Sequence, residues 1–192
     1  MFAFIEKIEK PPLLKHQKSY GNIEESKFIN NIETYVNRSE FGKNIDNVMR
    51  LENAKYAKYG QLAMQLEHNY TNQTIRIETA KSNLQLVRKF MEDKTEFEAK
   101  FQPAIGVFTT VIVPPLEKVN LLVGSNVFME FELKDAEKHL IGQIKDLVQQ
   151  LKAYEHDVEY LREMMVITEL NISRLYKYGQ DQQKKRQKQG SR

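Results

Sequence analysis

Four histidines, His16, His68, His139 and His156, are the side chains best suited to proton transfer or metal ligation, and they are scattered. No two of them stand at metal-ligand spacing beside a carboxylate. The chain has no Cys, which removes thiolate nucleophiles, disulfides and Cys-based zinc sites. Its 8 Gly are isolated, so no glycine-rich loop is available to cradle a phosphate. Asp and Glu number 26, but on charged helix faces such carboxylates are ordinarily solvated. The expectation is therefore a protein that is not an enzyme, with no catalytic residue, no metal and no cofactor.

Two other constellations carry weaker chemistry. Lys184, Lys185, Arg186, Lys188 and Arg192 stand among glutamines in a basic C-terminal segment. Such a run can contact phosphates or acidic segments. It has no interleaved aromatics, so a solvated, disordered tail over 179–192 is the simpler reading, with neither nucleic acid nor membrane expected as a partner. Met49, Met64, Met91, Met129, Met164 and Met165 could serve as adaptable contacts. Apart from Met49, their positions suit ordinary seam or core packing.

The elements that must hold these residues are unusual. Of 192 residues, 29% are charged and 41% hydrophobic, with only 8 Gly and 5 Pro. High charge with few breakers favours long solvated helices over a compact α/β globule. The opening Met1-Phe2-Ala3-Phe4-Ile5 is followed at once by Glu6 and Lys7, too short an apolar run for a signal peptide. No apolar stretch approaches the ~18 residues of a membrane span. A soluble cytosolic or nuclear protein is expected, although the missing Cys fits a reducing compartment only weakly.

Residues 1–43 form an N-terminal extension broken by Pro11-Pro12 and Gly21. Within it Phe28, Ile32, Tyr35 and Val36 make one short amphipathic face, and Ser39 with Gly42 suggests a turn. From Ile45 the apolar residues then recur in alternating steps of four and three. The series is Ile45, Met49, Glu52, Tyr56, Tyr59, Ala63, Leu66, Tyr70, Gln73, Ile77, Ala80, Leu84, Val87, Met91, in which only Glu52 and Gln73 are clearly polar. A sustained mean of 3.5 residues is the signature of a left-handed coiled coil. A helix over about 45–101 would be roughly 85 Å long at ~1.5 Å per residue.

Pro103 ends that helix and the composition changes. Val107, Phe108, Thr109, Thr110, Val111, Ile112 and Val113 favour strand. Pro114-Pro115 stops the run; Val119–Val123 resumes it; Gly124-Ser125-Asn126 suggests a hairpin turn; and Val127–Glu132 alternates. Phe97–Ala104 suits either a first strand or the helix end. A second helix over about 135–178 carries the seam Leu140, Ile144, Leu147, Leu151, Tyr154, Val158, Leu161, Met165, Thr168, Ile172, Leu175. Two such seams joined by a strand-rich segment predict an antiparallel two-helix coiled-coil hairpin over 44–178, with two β-hairpins at the bend. Three or four short strands leave open edges, so the β module is expected to recruit partner strands.

Particular segments also resemble a known family. Val113-Pro114-Pro115-Leu116-Glu117-Lys118-Val119-Asn120-Leu121-Leu122-Val123-Gly124-Ser125-Asn126-Val127-Phe128-Met129-Glu130-Phe131 is similar to the strand region of the subunit 3 family of prefoldins. That family is also known for binding the von Hippel–Lindau tumour suppressor. Tyr56-Ala57-Lys58-Tyr59 and Thr168-Glu169-Leu170-Asn171-Ile172-Ser173-Arg174-Leu175-Tyr176 resemble its two helices. The resemblance covers about 21–187. It departs at Gly21-Asn22-Ile23-Glu24, where the family usually has Gly-Ile-Pro.

The resemblance implies an α-type subunit of a hexamer with one further α-type and four β-type subunits. That assembly holds unfolded actin and tubulin without ATP and passes them to the cytosolic chaperonin. Assembly would use Val107, Thr109, Val111, Val113, Val119, Leu121, Val123, Val127, Met129 and Phe131. Counting outward from a Met91–Leu140 pair sets Tyr56 opposite Leu175 and Ile45 opposite about residue 186. Ile45, Val48 and Met49 would then lack seam partners and, with Ile172, Leu175 and Tyr176, contact clients at the arm tip. The competing arrangement has Phe28, Ile32 and Val36 covering that surface. A coiled-coil tether or adaptor is the alternative function.

Overall fold

The computed structural model describes residues 2–38, 44–124 and 126–190. Ser39, Gly42, Ser125 and Arg192, named in the turns and tail above, lie outside them. The elements in chain order are α1 (Ala3–Glu6), α2 (Ile32–Val36), α3 (Ile45–Glu92), β1 (Phe97–Ala104), β2 (Val107–Val113), β3 (Lys118–Gly124), β4 (Val127–Glu132) and α4 (Leu133–Gly190). Mostly helix with two small antiparallel hairpins is the expected fold class.

Three boundaries differ from expectation. Helix α3 stops at Glu92, not near 101, and the ambiguous Phe97–Ala104 is strand β1. Glu, Ala and Lys in that stretch suit a helix locally, but pairing with β2 overrides local preference. Helix α4 runs to Gly190, past the expected end at 178. The segment after Gly179 is rich in Gln, Lys and Arg, all good helix formers, and has no Pro. The start of α3 is capped by Asn44, whose Oδ1 accepts from Asp46 N–H at 2.9 Å. The short α2 is capped in the same manner by Asn31, which accepts from Thr34 N–H at 3.0 Å.

The chain divides into two compact units. One holds Asn72–Gln150 with the residues up to Glu9; the other holds Lys10–Thr71 with the residues from Leu151 onward. In the first unit the end of α3 and the start of α4 bury Ile77, Ala80, Leu84, Val87, Leu140, Ile144 and Leu147. Gln73 donates to Leu147 C=O at 3.2 Å and to Gln150 Oε1 at 2.8 Å. Fifteen residues on, Arg88 meets Glu137 at 2.7 Å. The helices are therefore antiparallel there.

In the second unit α3 and α4 are also antiparallel. One core cluster joins Tyr59, Leu161 and Met164; another joins Val48, Leu175, Ile29 and Val36. The expected register is corrected by about one heptad, because Leu175 packs with Val48 and not opposite Tyr56. Shifting a heptad seam by one repeat leaves every apolar position apolar. Polar pairs break that degeneracy: Asn171 reaches Glu52 at 3.4 Å.

The hairpins belong to the first unit and form two separate two-stranded sheets. In the first, Phe97 faces Val113, Ala99 faces Val111 and Phe101 faces Thr109. The Ile105-Gly106 tip needs a left-handed residue, and Gly106 supplies φ +77°. In the second, Val119 faces Phe131 and Leu121 faces Met129, and Asn126 takes φ 60° at the turn. Lys118 and Glu130 pair on its polar face at 2.9 Å.

Candidate functional site

The alternation of a strand normally gives one apolar and one polar face. Strand β2 does not obey it: Val107, Thr109, Val111 and Val113 fall on one face, and Phe108 and Ile112 on the other. Phe108 and Ile112 are each 68% exposed, and Ile105 at the tip is fully exposed. A strand apolar on both sides is built to be covered on both sides. In the second hairpin Phe128 is 67% exposed, while Phe131 is half-buried with its ring stacked on His139 at 5.1 Å.

The ten residues expected to serve assembly divide accordingly. Val107, Thr109, Val111, Val123, Val127 and Met129 are exposed; Val113, Val119, Leu121 and Phe131 are half-buried. Phe101, Ile105, Phe108, Ile112, Leu122 and Phe128 were not among them, and all six are exposed. An apolar residue between two apolar neighbours in β2 was the available signal. Among the described residues the outer backbone edges of both hairpins carry no further strand. Edges and faces together make a surface that can add strands and bury side chains.

The arm-tip residues lie in the second unit. Val48 and Leu175 are completely buried, and Ile29 and Val36 complete their cluster. Ile45 and Met49 pack against that cluster and are half-buried, with Ile32, Tyr35 and Tyr178 beside them. The premise that Ile45, Val48 and Met49 lack partners is therefore corrected. The true register places Leu175 against Val48, and the N-terminal extension covers the remainder. Ile172 is half-buried and only Tyr176, 59% exposed, offers a large free surface. Phe28 is not in α2; it is exposed beneath the Arg174 guanidinium, 4.5 Å from the ring centre.

What sequence reasoning missed is a polar seam between the extension and α4. Asp157, Thr168 and Asn171 are all buried, and all bond to residues 19–30. Glu52 is buried with Lys55 at 3.1 Å. Partial burial is the largest single influence on Lys55 and pulls its pKa down, but the hydrogen bond and charge of Glu52, together with Tyr35 and Glu24, outweigh it and the net shift is upward. The Tyr59 hydroxyl donates to Glu24 C=O at 2.9 Å, and burial first, then Glu24, pushes its pKa up. Among the described residues no cluster of three His, Asp or Glu could hold a metal ion. No described helix is long and apolar enough to cross a membrane.

A helix pair whose arms are separated in sequence by two apolar hairpins defines a class of oligomer-forming coiled-coil subunits. Comparison with known proteins narrows that class. The family described as Prefoldin subunit matches residues 59–178. The chain is 31% identical to prefoldin subunit 3 of Drosophila melanogaster over 179 residues, 93% of this chain and 92% of that protein. It is 26% identical to prefoldin subunit 3 of Homo sapiens over 160 residues, 81% and 80% of the two chains. A protein described as probable prefoldin subunit 3 of Dictyostelium discoideum is 26% identical over 170 residues, 88% and 85%. The chain belongs to the prefoldin subunit family, in its subunit 3 branch, and is a prefoldin chaperone subunit.

Proposed function

We propose that this chain is one of two α-type subunits of a hexameric prefoldin, with four β-type partners. It works in the cytoplasm, with the nucleus as a second compartment, captures unfolded actin and tubulin without ATP, and delivers them to the cytosolic chaperonin. The observation that carries this reading is the pair of hairpins, with apolar side chains exposed on both faces of β2 and open backbone edges. Such a surface costs solubility unless partner strands cover it, and each large side chain buried returns ~1.5–3 kcal/mol. Client contact then falls to apolar side chains left exposed on the helices, Tyr176 with Leu51, Val166 and Leu170. Each contact is weak alone, and several arms on one platform raise the effective concentration for a long client.

The test is a tagged pull-down with mass spectrometry, followed by aggregation assays with denatured actin and tubulin and a chaperonin-transfer assay. Five co-purifying coiled-coil subunits and ATP-independent suppression are expected. A chain that recovers no other prefoldin subunit, or a hexamer that leaves aggregation unchanged, would overturn the proposal.

A further inference from the structure

Residues 22–30 contain no helix or strand of their own. Side chains of α4 take up the backbone groups of this stretch and of the two residues before it. The Asp157 carboxylate accepts from Tyr20 N–H at 2.8 Å and from Gly21 N–H at 2.6 Å. Ser26 N–H donates to Met164 Sδ at 3.1 Å, and Thr168 Oγ1 donates to Ser26 Oγ at 2.7 Å. Asn171 accepts from Ile29 N–H and donates to Lys27 C=O, both at 2.9 Å. Arg174 donates to the carbonyls of Ile29 and Asn30. Partner numbers rise together, so this strap runs parallel to α4. Ile23 and Ile29 pin it into the two core clusters.

Two features set this contact apart from ordinary packing. The helix grips mainly backbone N–H and C=O groups, which every polypeptide has, and backbone recognition tolerates many sequences. The gripping atoms also belong to buried polar side chains: Asp157, Thr168 and Asn171 are 2%, 0% and 1% exposed. A helix pair needing only itself would place apolar residues there, because an unfilled buried polar group is costly. These side chains suit a groove that must always hold an extended chain.

We infer that this groove is a binding site for extended segments of unfolded client, closed in the free chain by residues 19–30 as a built-in occupant. The inference rests on the chaperone reading above and names the ligand: extended backbone with free amides, two apolar side chains six positions apart, and a small residue midway, as in Ile23, Ser26 and Ile29. Client affinity at the groove is then reduced by the fraction of time the strap is open.

The chain has no Cys, so one disulfide can be introduced cleanly. Ser26→Cys with Thr168→Cys joins positions whose hydroxyl oxygens lie 2.7 Å apart. The hexamer rebuilt with this chain is given denatured actin, and cross-links to residues 157–174 are counted by mass spectrometry, oxidised and then reduced. Locking the strap should lower those cross-links at least roughly ten-fold, with recovery on reduction. A second variant, Ile23→Ser with Ile29→Ser, loosens the strap without touching the groove. It should bind a fluorescein-labelled peptide of residues 19–30 at least about ten-fold more tightly than the unmodified hexamer. Equal cross-linking in both redox states, or no gain in the loosened variant, overturns the inference while capture elsewhere on the hexamer leaves the chaperone reading standing. A hexamer that captures no actin on any subunit overturns both.

Discussion

Glu52, Gln73 and Thr168 are the polar residues in two otherwise apolar seams, and all three are buried and hydrogen-bonded. Polar groups in a seam cost stability and fix register. Asn171, beside them, serves both an amide and a carbonyl of the strap. Asn171→Leu would leave both without their partner at about 1–3 kcal/mol each. A loss of at least about 2 kcal/mol is expected in denaturant titration, while Asn83→Ala on the exposed side of α3 should change little. Tyr59 gives a pH test. Its raised pKa means the folded chain keeps the phenolic proton to higher pH than the unfolded chain does. That stability is complete below the ordinary value of about 10 and is lost as pH rises through the folded value. Melting temperature should fall as pH rises from about 10 through the folded value, and Tyr59→Phe, which cannot ionise, should flatten the fall.

At the scale of elements, the seams and the strand-rich bend were plain from periodicity, because 3.5-residue and two-residue repeats follow directly from helix and strand geometry. The end of α3 was not: Glu98, Ala99 and Lys100 favour a helix locally and are strand only through Thr110, Val111 and Ile112 opposite. Register was also illegible, since a heptad seam slides by seven residues without penalty until pairs such as Glu52 with Asn171 are known. The strap left almost no trace. An extended segment has no period of its own, and its partners lie 136 to 145 residues away in sequence. Only Thr168, polar within the second seam, and Asn171 beside it hinted at it. The hairpins yield the clearest element-scale prediction. Phe108→Asp with Ile112→Asp alters one face of β2 and touches neither helix seam. Helical circular dichroism should be retained while co-purification of partner subunits falls at least about ten-fold, the effect of losing ~1.4 kcal/mol or more of interface energy.

Over the whole molecule, averages conceal the feature that matters most. Mean hydropathy is −0.60 and the sequence is 29% charged, figures that describe a polar chain. Yet apolar side chains concentrate on the hairpins: Ile105, Phe108, Ile112 and Phe128 are each more than 65% exposed. A net charge of only +3 gives little long-range repulsion to keep copies apart. The helices can satisfy their seams within the chain, whereas two separate two-stranded sheets cannot satisfy their edges. The purified chain alone should therefore keep its helical signal, bind a hydrophobic-surface dye, and self-associate at micromolar concentration in sedimentation velocity. Adding the other prefoldin subunits should extinguish the dye signal and collapse the distribution to one assembled species. High salt should not reverse the self-association, since burial of apolar surface drives it, not ion pairing. The Phe108→Asp, Ile112→Asp chain separates this from association through the helices: it should stay dispersed alone and remain excluded from the assembly with the other subunits. A chain that is monomeric without partners, or whose aggregates survive that double substitution unchanged, would show that the hairpins are not the surface through which the molecule assembles.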